Sequence, residues 1–188
     1  MIHIIYLAAG QSRRYGSNKL LSLRGGKALY RYGLEAIREA MGTREDCALT
    51  VVTCWEEIMR ALTAEGVRCV SCPDSHLGIS HTIRAGIRAC EPLAEEDHLC
   101  FCVADQPNLT AATVARLLNT ATESPLTACL AAGEISGNPT LFSATLAEEL
   151  CALTGDRGGK AVMRRHPERH IDVPCDVTEL TDIDIAEE

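Results

Sequence analysis

The stretch Gly10–Lys19, GQSRRYGSNK, gathers two glycines, two adjacent arginines and a lysine directly behind an apolar run, Ile4 to Ala9. Glycine where a strand turns lets backbone N–H groups approach a ligand closely, and the small Ala8 and Ala9 before it leave room. The guanidinium forks of Arg13 and Arg14 match phosphate oxygens bidentately, while Lys19 offers a point charge. The chemistry that fits is a phosphate cradle; the plainer alternative is a solvated basic loop. The spacing is not GxxxxGK[ST], so it is not a Walker loop, and GxGxxG is missing as well.

Five other segments carry groups of interest. In VADQPNLT, Asp105 closes an apolar run, where an aspartate either caps a turn or holds Mg²⁺, an ion that takes one or two carboxylates and completes its shell with water and phosphate oxygens. ELTDIDIAEE supplies Asp182 and Asp184, two apart on one face of an extended segment. In DSHLGISHTIRAG, Gly78, Ser80 and Thr82 form a small polar turn at a helix start, able to present N–H and hydroxyl groups to a base or phosphate, or simply to cap the helix. Gly137-Asn138-Pro139 reads as a turn into a strand, and Gly155, Asp156, Gly158, Gly159 and Lys160 as a glycine-rich helix opening that cradles an anion or only turns.

Other chemistries find less support. His3, His76, His81, His98, His166 and His170 lack HxxxH or HExxH spacing and read as surface or capping residues. Cys54 has no identifiable base, and no GxSxG elbow is present. Ten cysteines without a secretory leader read as reduced thiols, and the lone CxxC of Cys69 and Cys72 is a weak metal or redox signal. The net charge of −8 argues against a general nucleic-acid or anionic-membrane binder, so any anion must be held by a local cluster. No run approaches the roughly 20 apolar residues of a membrane span. The expectation is a soluble, cytoplasmic protein.

These groups need a scaffold. With 188 residues, 46% hydrophobic and 4% aromatic, the chain is predicted to form one domain over 1–188 with an aliphatic core. IHIIYLA, ALTVVTC, VRCVSC, HLCFCVAD, LTACLAA, PTLFS and RHIDVPC read as strands. Helices are predicted at ALYRYGLEAIREAM, WEEIMRALTAE (with Thr53 and Glu56 as a capping box), SHTIRAGIRAC, AATVARLLNTA capped by Thr110, ATLAEELCAL and GGKAVMRRH. Strand alternates with helix almost throughout, which predicts a three-layer α/β/α sandwich on a mostly parallel, Rossmann-like sheet. Ligands in such sheets bind beyond the carboxyl ends of the strands, so the Gly10 loop and Asp105 can meet although they lie far apart in sequence.

In combination the segments resemble a known family. LAAGQSRRYGSNK is similar to the LAAGxSxRxGxxK signature of nucleotidyltransferases with the glycosyltransferase-A-like, nucleotide-diphospho-sugar transferase fold, and GISHTIRAG to their GxSxSxxxG turn. ADQP, GNPTLF, GDRGGK and TDIDIAEE resemble the remaining motifs in order, and the set as a whole resembles the molybdenum cofactor cytidylyltransferases, MobA-like NTP transferases. Thr82 replaces a serine and keeps its hydroxyl, Lys160 stands where arginine is common, Asn108 sits where an apolar residue is usual, and the tail reads DIDIAEE rather than DIDTPED.

The resemblance implies transfer of a nucleotide monophosphate from an NTP, with CTP the implied donor, to the terminal phosphate of molybdopterin or the molybdenum cofactor, with release of pyrophosphate and delivery to a molybdenum hydroxylase. It implies nucleotide contacts from Leu7, Ala8, Ala9, Gly10, Ser12, Arg14, Gly16, Lys19, Gly78, Ser80 and Thr82. Lys19, Arg14 and Asp105 would be catalytic, with Mg²⁺ on Asp105, Asp182 and Asp184. Arg13 falls at a variable position of the motif. The acceptor would face Gly137, Asn138, Pro139, Gly155, Asp156, Gly158 and Lys160. A sibling enzyme acting on a sugar phosphate or other small phosphate, and a non-catalytic accessory protein that binds the cofactor, are the alternatives.

Overall fold

The run IHIIYL has no helical period and sends its side chains to both sides, as a strand buried on two faces requires. It forms β1, Ile2–Leu7. Ile4 and Tyr6 enter one apolar layer, Ile5 and Leu7 the other. The computed structural model describes residues 1–10 and 18–183.

Flanking β1 are β4 (Cys47–Thr53) and β6 (His98–Val103), both parallel to it, and β5 (Arg68–Ser71) lies parallel outside β4. Beyond β6 come β8 (Ile135–Ser143), β7 (Thr127–Ala132) and β9 (His170–Pro174), giving the seven-strand order β5-β4-β1-β6-β8-β7-β9. A small hairpin pairs β2 (Leu23–Arg24) with β3 (Lys27–Ala28). Helices α1 (Leu29–Met41), α2 (Glu56–Ala64) and α4 (Ala111–Asn119) cover one face through Leu34, Ile37, Ile58, Leu62, Val114 and Leu117. The other face carries α3 (Ile79–Cys90), α5 (Ala147–Cys151) and α6 (Lys160–Met163), through Ile83, Ile87, Leu150 and Val162. Each such aliphatic side chain contributes about 1.5–3 kcal/mol on full burial. This is the mostly parallel three-layer α/β sandwich that the alternation predicted. No helix among the described residues is long and apolar enough to cross a membrane.

Close packing of α3 on the sheet depends on Gly86. A Cβ there would lie 2.3 Å from Ile5 Cγ2, so the last glycine of the GISHTIRAG segment is fixed by helix–strand contact.

Several local expectations change. β8 runs antiparallel to both β6 and β7, because only Gly133 and Glu134 separate β7 from β8 and a crossover needs far more chain. Gly137, Asn138 and Pro139 therefore lie inside β8, not in a turn leading into it. Thr53 does not cap α2: it is the buried last residue of β4, and the N-cap is Trp55, without a side-chain cap. Its hydroxyl donates to the Ala8 carbonyl and accepts from the N–H of Trp55, the residue before the helix, rather than from an N–H within it. The two late helices are shorter than read, the first opening with a 3-10 turn, Ala144–Leu146. Thr110 does cap α4, accepting from Thr113 N–H at 3.3 Å. His98 is buried, and that burial holds its imidazole below its ordinary value.

Candidate active site

The carboxyl ends of β1, β4 and β6 build one wall. Leu7 registers with Val52 on one side and Val103 on the other, so the loops after all three strands emerge together. The backbone of Ala8, Ala9 and Gly10, directly after β1, is tied down at each residue. Ala8 N–H donates to Val52 O at 2.8 Å, and Thr53 Oγ1 donates to Ala8 O at 2.8 Å. Cys54 Sγ lies 3.7 Å from Ala9 O, and Trp55 Nε1 donates to Gly10 O at 3.2 Å. The loop thus leaves from a fixed base. Ala8 is fully buried with both backbone groups engaged, so it shapes the base, whereas Ala9 and Gly10 line an open cleft.

That cleft, of about 310 Å³, brings together Leu7, Ala9, Gly10, Lys19, Gly78, Thr82, Asp105 and Asp156. Its centre is an ion pair: Lys19 Nζ lies 2.9 Å from Asp105 Oδ2. The same ammonium donates to Ile183 O at 3.0 Å, and Ile183 N–H donates to Asp105 O at 2.9 Å. Lys19 opens a 3-10 turn, Lys19–Leu21, capped by Asn18 Oδ1. Asp105 follows β6, whose end is anchored by Ala104 N–H to Leu7 O. The pair is mostly shielded, with side-chain exposures of 12% and 24%, so its field is less screened than that of a surface pair.

The opposite wall is the start of α3. Gly78 has φ 123°, and a Cβ on it would fall 2.2 Å from the Gly155 carbonyl carbon. Ser80 N–H donates to Gly155 O at 3.1 Å. The GIS and GDR segments are therefore stitched together, and only glycine fits at the seam. Ser80 is fully buried, and its hydroxyl has no hydrogen-bond partner among the described residues. An orphaned buried hydroxyl costs about 1–3 kcal/mol. Its neighbours Gly78, Ile79 and Thr82 line the cleft.

A second cleft of about 180 Å³ opens beside the first, and Leu7 and Ile79 wall both. Asn138, Gly158 and Lys160 face it, as does Thr140. Asp156, grouped with these in sequence, lies on the first cleft. Gly137 packs toward Leu180, and Gly155 toward Gly78; they shape the walls. Ser12, Arg13, Arg14, Gly16 and Asp184 lie outside the described residues.

A strap formed by the last described residues is not apparent from the motifs. Asp176 and Glu179 form a capping box on the 3-10 turn Val177–Leu180. Glu179 is buried and accepts from Thr110 N–H and Oγ1, Thr113 Oγ1 and Asp176 N–H, at 2.7–3.2 Å. Burial alone would raise its carboxyl; these hydrogen bonds outweigh it and hold the group below the usual value. Gln106 Nε2 and Asn108 Nδ2 donate to Leu180 O and Thr178 O, which explains a polar residue at 108. The strap delivers Ile183, and with it the backbone of Asp182, to Asp105. The D-x-x-E spacing of Asp176 and Glu179 was the available signal.

The profile of the MobA-like NTP transferase domain matches residues 4–170, from β1 to the start of β9. The chain belongs to this family. It is accordingly a nucleotidyltransferase-type protein, handling a nucleoside triphosphate and a phosphate-bearing substrate. Among curated relatives it is similar to the purine catabolism protein PucB of Bacillus subtilis, 28% identical over 172 residues, covering 85% of this chain and 79% of PucB. Among solved structures it is similar to Rv0371c of Mycobacterium tuberculosis (TM-score 0.78, 25% identity, 98% of this chain and 93% of that one). A nucleotidyl transferase of Methanothermobacter thermautotrophicus shares the fold (TM-score 0.77, 23% identity, covering 98% and 92%).

Proposed function

We propose that the protein transfers cytidine monophosphate from CTP to the terminal phosphate of molybdopterin or the molybdenum cofactor, releasing pyrophosphate. The observation that carries the transfer reading is the Lys19–Asp105 pair at 2.9 Å in a cleft that shares its Leu7–Ile79 edge with a second cleft. Donor and acceptor can then lie side by side. The choice of cytidine and of a pterin acceptor rests on the combination of ADQP, GNPTLF and GDRG.

The chemistry asks little proton transfer of the protein. A phosphate monoester loses its second proton with a pKa of about 6, so the acceptor is already a dianion near neutrality. Its oxygen bonds to the α-phosphorus as the bond to the departing pyrophosphate breaks. The barrier lies in bringing anions together, and positioning with charge neutralisation lowers it. Lys19 would hold triphosphate oxygens, together with Arg14, while Lys160 and Asn138 would hold the acceptor. Asp105 suits a magnesium ion, being a hard-oxygen ligand with enough exposure to leave room for waters, and Asp182 and Asp184 would add carboxylates. Such an ion would supply charge neutralisation at the phosphates. The nucleotidylated cofactor would pass to a molybdenum hydroxylase.

Pyrophosphate release measured with each NTP, with and without molybdopterin, tests the proposal. CTP-specific release that requires molybdopterin is the expected result. Release with a different small phosphate, or none with any acceptor, would overturn it.

A further inference from the structure

Three metal-ligating side chains converge away from both clefts, at the outer edge of the sheet. Strands β7 and β9 pair in parallel, with Cys129 opposite Asp172 and Thr127 opposite His170. Residues two apart on a strand share a face, so all four side chains point the same way. Cys129 Sγ lies 3.7 Å from His170 Nε2 and 3.5 Å from Asp172 Oδ1, and those last two atoms are 3.1 Å apart. Among the described residues this is the group of His, Cys, Asp or Glu whose donor atoms come close enough to share an ion.

We propose that Cys129, His170 and Asp172 form a zinc(II) site with three protein ligands and a fourth position left for water or a bound molecule. Zinc bonds to sulfur at about 2.3 Å and to nitrogen or oxygen at about 2.0–2.2 Å, so a tetrahedral shell has ligand–ligand edges of roughly 3.3–3.6 Å. The three distances bracket that range. One soft thiolate, one imidazole and one carboxylate is also a donor set suited to zinc rather than to magnesium or calcium.

The surroundings support the geometry. Thr127 Oγ1 lies 2.8 Å from His170 Nδ1. A threonine hydroxyl can accept from Nδ1–H, which leaves the Nε2 lone pair facing Cys129 and Asp172; zinc-bound histidines are oriented by such contacts. The sulfur is fully buried at the back of the site, whereas the Asp172 side chain is 63% exposed, so an ion has a route in from solvent. Burial, then the adjacent carboxylate, push the Cys129 thiol up to about 12. A dication between sulfur and carboxylate reverses that sign. On binding, the S–H bond breaks, the proton leaves to water and a sulfur–metal bond replaces it.

The site borders the acceptor side of the molecule. His170 also lines an outer cleft of about 280 Å³ shared with Ser136 and Lys160, and Lys160 reaches the second cleft as well. Family membership does not account for the site, because Asp172 lies beyond the residues that the family profile matches.

Cobalt(II) replaces zinc and reports its ligands. The full, reduced chain is titrated anaerobically with Co²⁺ and then competed with Zn²⁺, with no nucleotide or magnesium present. The expected result is one tightly held ion with tetrahedral d–d bands and a thiolate-to-cobalt charge-transfer band. Cys129→Ser should abolish the charge-transfer band, while Asp172→Asn and His170→Asn should weaken binding more than tenfold. Thr127→Val should weaken it about 10–100-fold with the spectrum retained, as expected of a group that orients a ligand. Cys69→Ser should change nothing. Melting curves identify any variant that fails to fold, and the exposed Asp172→Asn change keeps the test decisive in that case. An unchanged charge-transfer band in Cys129→Ser, undiminished binding by Asp172→Asn, or a wild-type chain that binds neither ion would overturn the site.

Discussion

The two neighbouring clefts are walled by different parts of the polypeptide. Around Lys19 and Asp105 the wall is main chain: the carbonyls of Ala8, Ala9 and Gly10 are each met by a side chain from the end of β4 or the two residues after it, and Gly78 lies against the backbone of Gly155. Around Lys160 the wall is side chain: Asn138 projects from β8, and Lys160 reaches over to the Ser136 carbonyl. A main-chain wall has one shape, and changing any of its small residues moves the backbone. A side-chain wall can be altered one group at a time. The first arrangement suits a moiety that never varies, such as a triphosphate, and the second suits the partner that distinguishes one family member from another.

The sharpest way to break this comparison is at the ion pair. Asp105→Ala is expected to abolish turnover, read as pyrophosphate release with Mg²⁺, and Lys19→Ala to cost about 2–4 kcal/mol in transition-state stabilisation. Near-normal activity of Asp105→Ala would remove the first cleft from the reaction. Next come the supports. Gly78→Ala should lower unfolding stability by about 1–3 kcal/mol in urea and weaken nucleotide binding with it, because the new Cβ must displace Gly155. Glu179→Gln loses the charge that its four donors favour, and about 1–3 kcal/mol of stability should go with it.

Asp97 supplies a control, since it sits before β6 at the opposite end of the sheet from both clefts. Burial raises its carboxyl, but the N-terminal ammonium, Ala94 N–H and His3 draw it down from 3.8 to about 2. A depressed carboxyl stabilises above its unfolded value and loses that contribution as pH falls through the folded one. Stability worth about 2 kcal/mol should therefore fade between pH 3.8 and about 2 in acid titrations, and Asp97→Asn should remove the slope without altering turnover at pH 7. The smallest effect is expected on the side-chain wall. Lys160→Ala should raise KM for the acceptor about tenfold, or about 1.4 kcal/mol, while KM for the nucleotide and the melting temperature stay put. A change in nucleotide KM would show that the two walls are not separate.

Much of this was legible in the chain because its signals are local. β1, α1 and the Thr110 cap follow from apolar spacing and a single hydroxyl. The meeting of Lys19 with Asp105 follows from strands that share a carboxyl end. What was not legible depends on pairing. Nothing in PTLFS says that β8 runs backwards; a short connection to β7 decides it. Thr53 has the spacing of a cap, yet its hydroxyl is used between the Ala8 carbonyl just past β1 and the Trp55 N–H before the helix. Cys129, His170 and Asp172 share no motif, and only the β7–β9 register aligns them. Asp156 is grouped in sequence with residues of the second cleft, yet it lines the first, where Gly155 is folded against Gly78.

The strap has a consequence in time. Lys19 precedes by 164 positions the Ile183 carbonyl that it grips, so a ribosome makes the ammonium long before its acceptor. The sheet can begin to form around β1, β4 and β6 well before that carbonyl exists. The strap's grip on the charged centre thus closes after the sheet around it, and a half-made chain carries the scaffold of the cleft without the Ile183 contacts to Lys19 and Asp105.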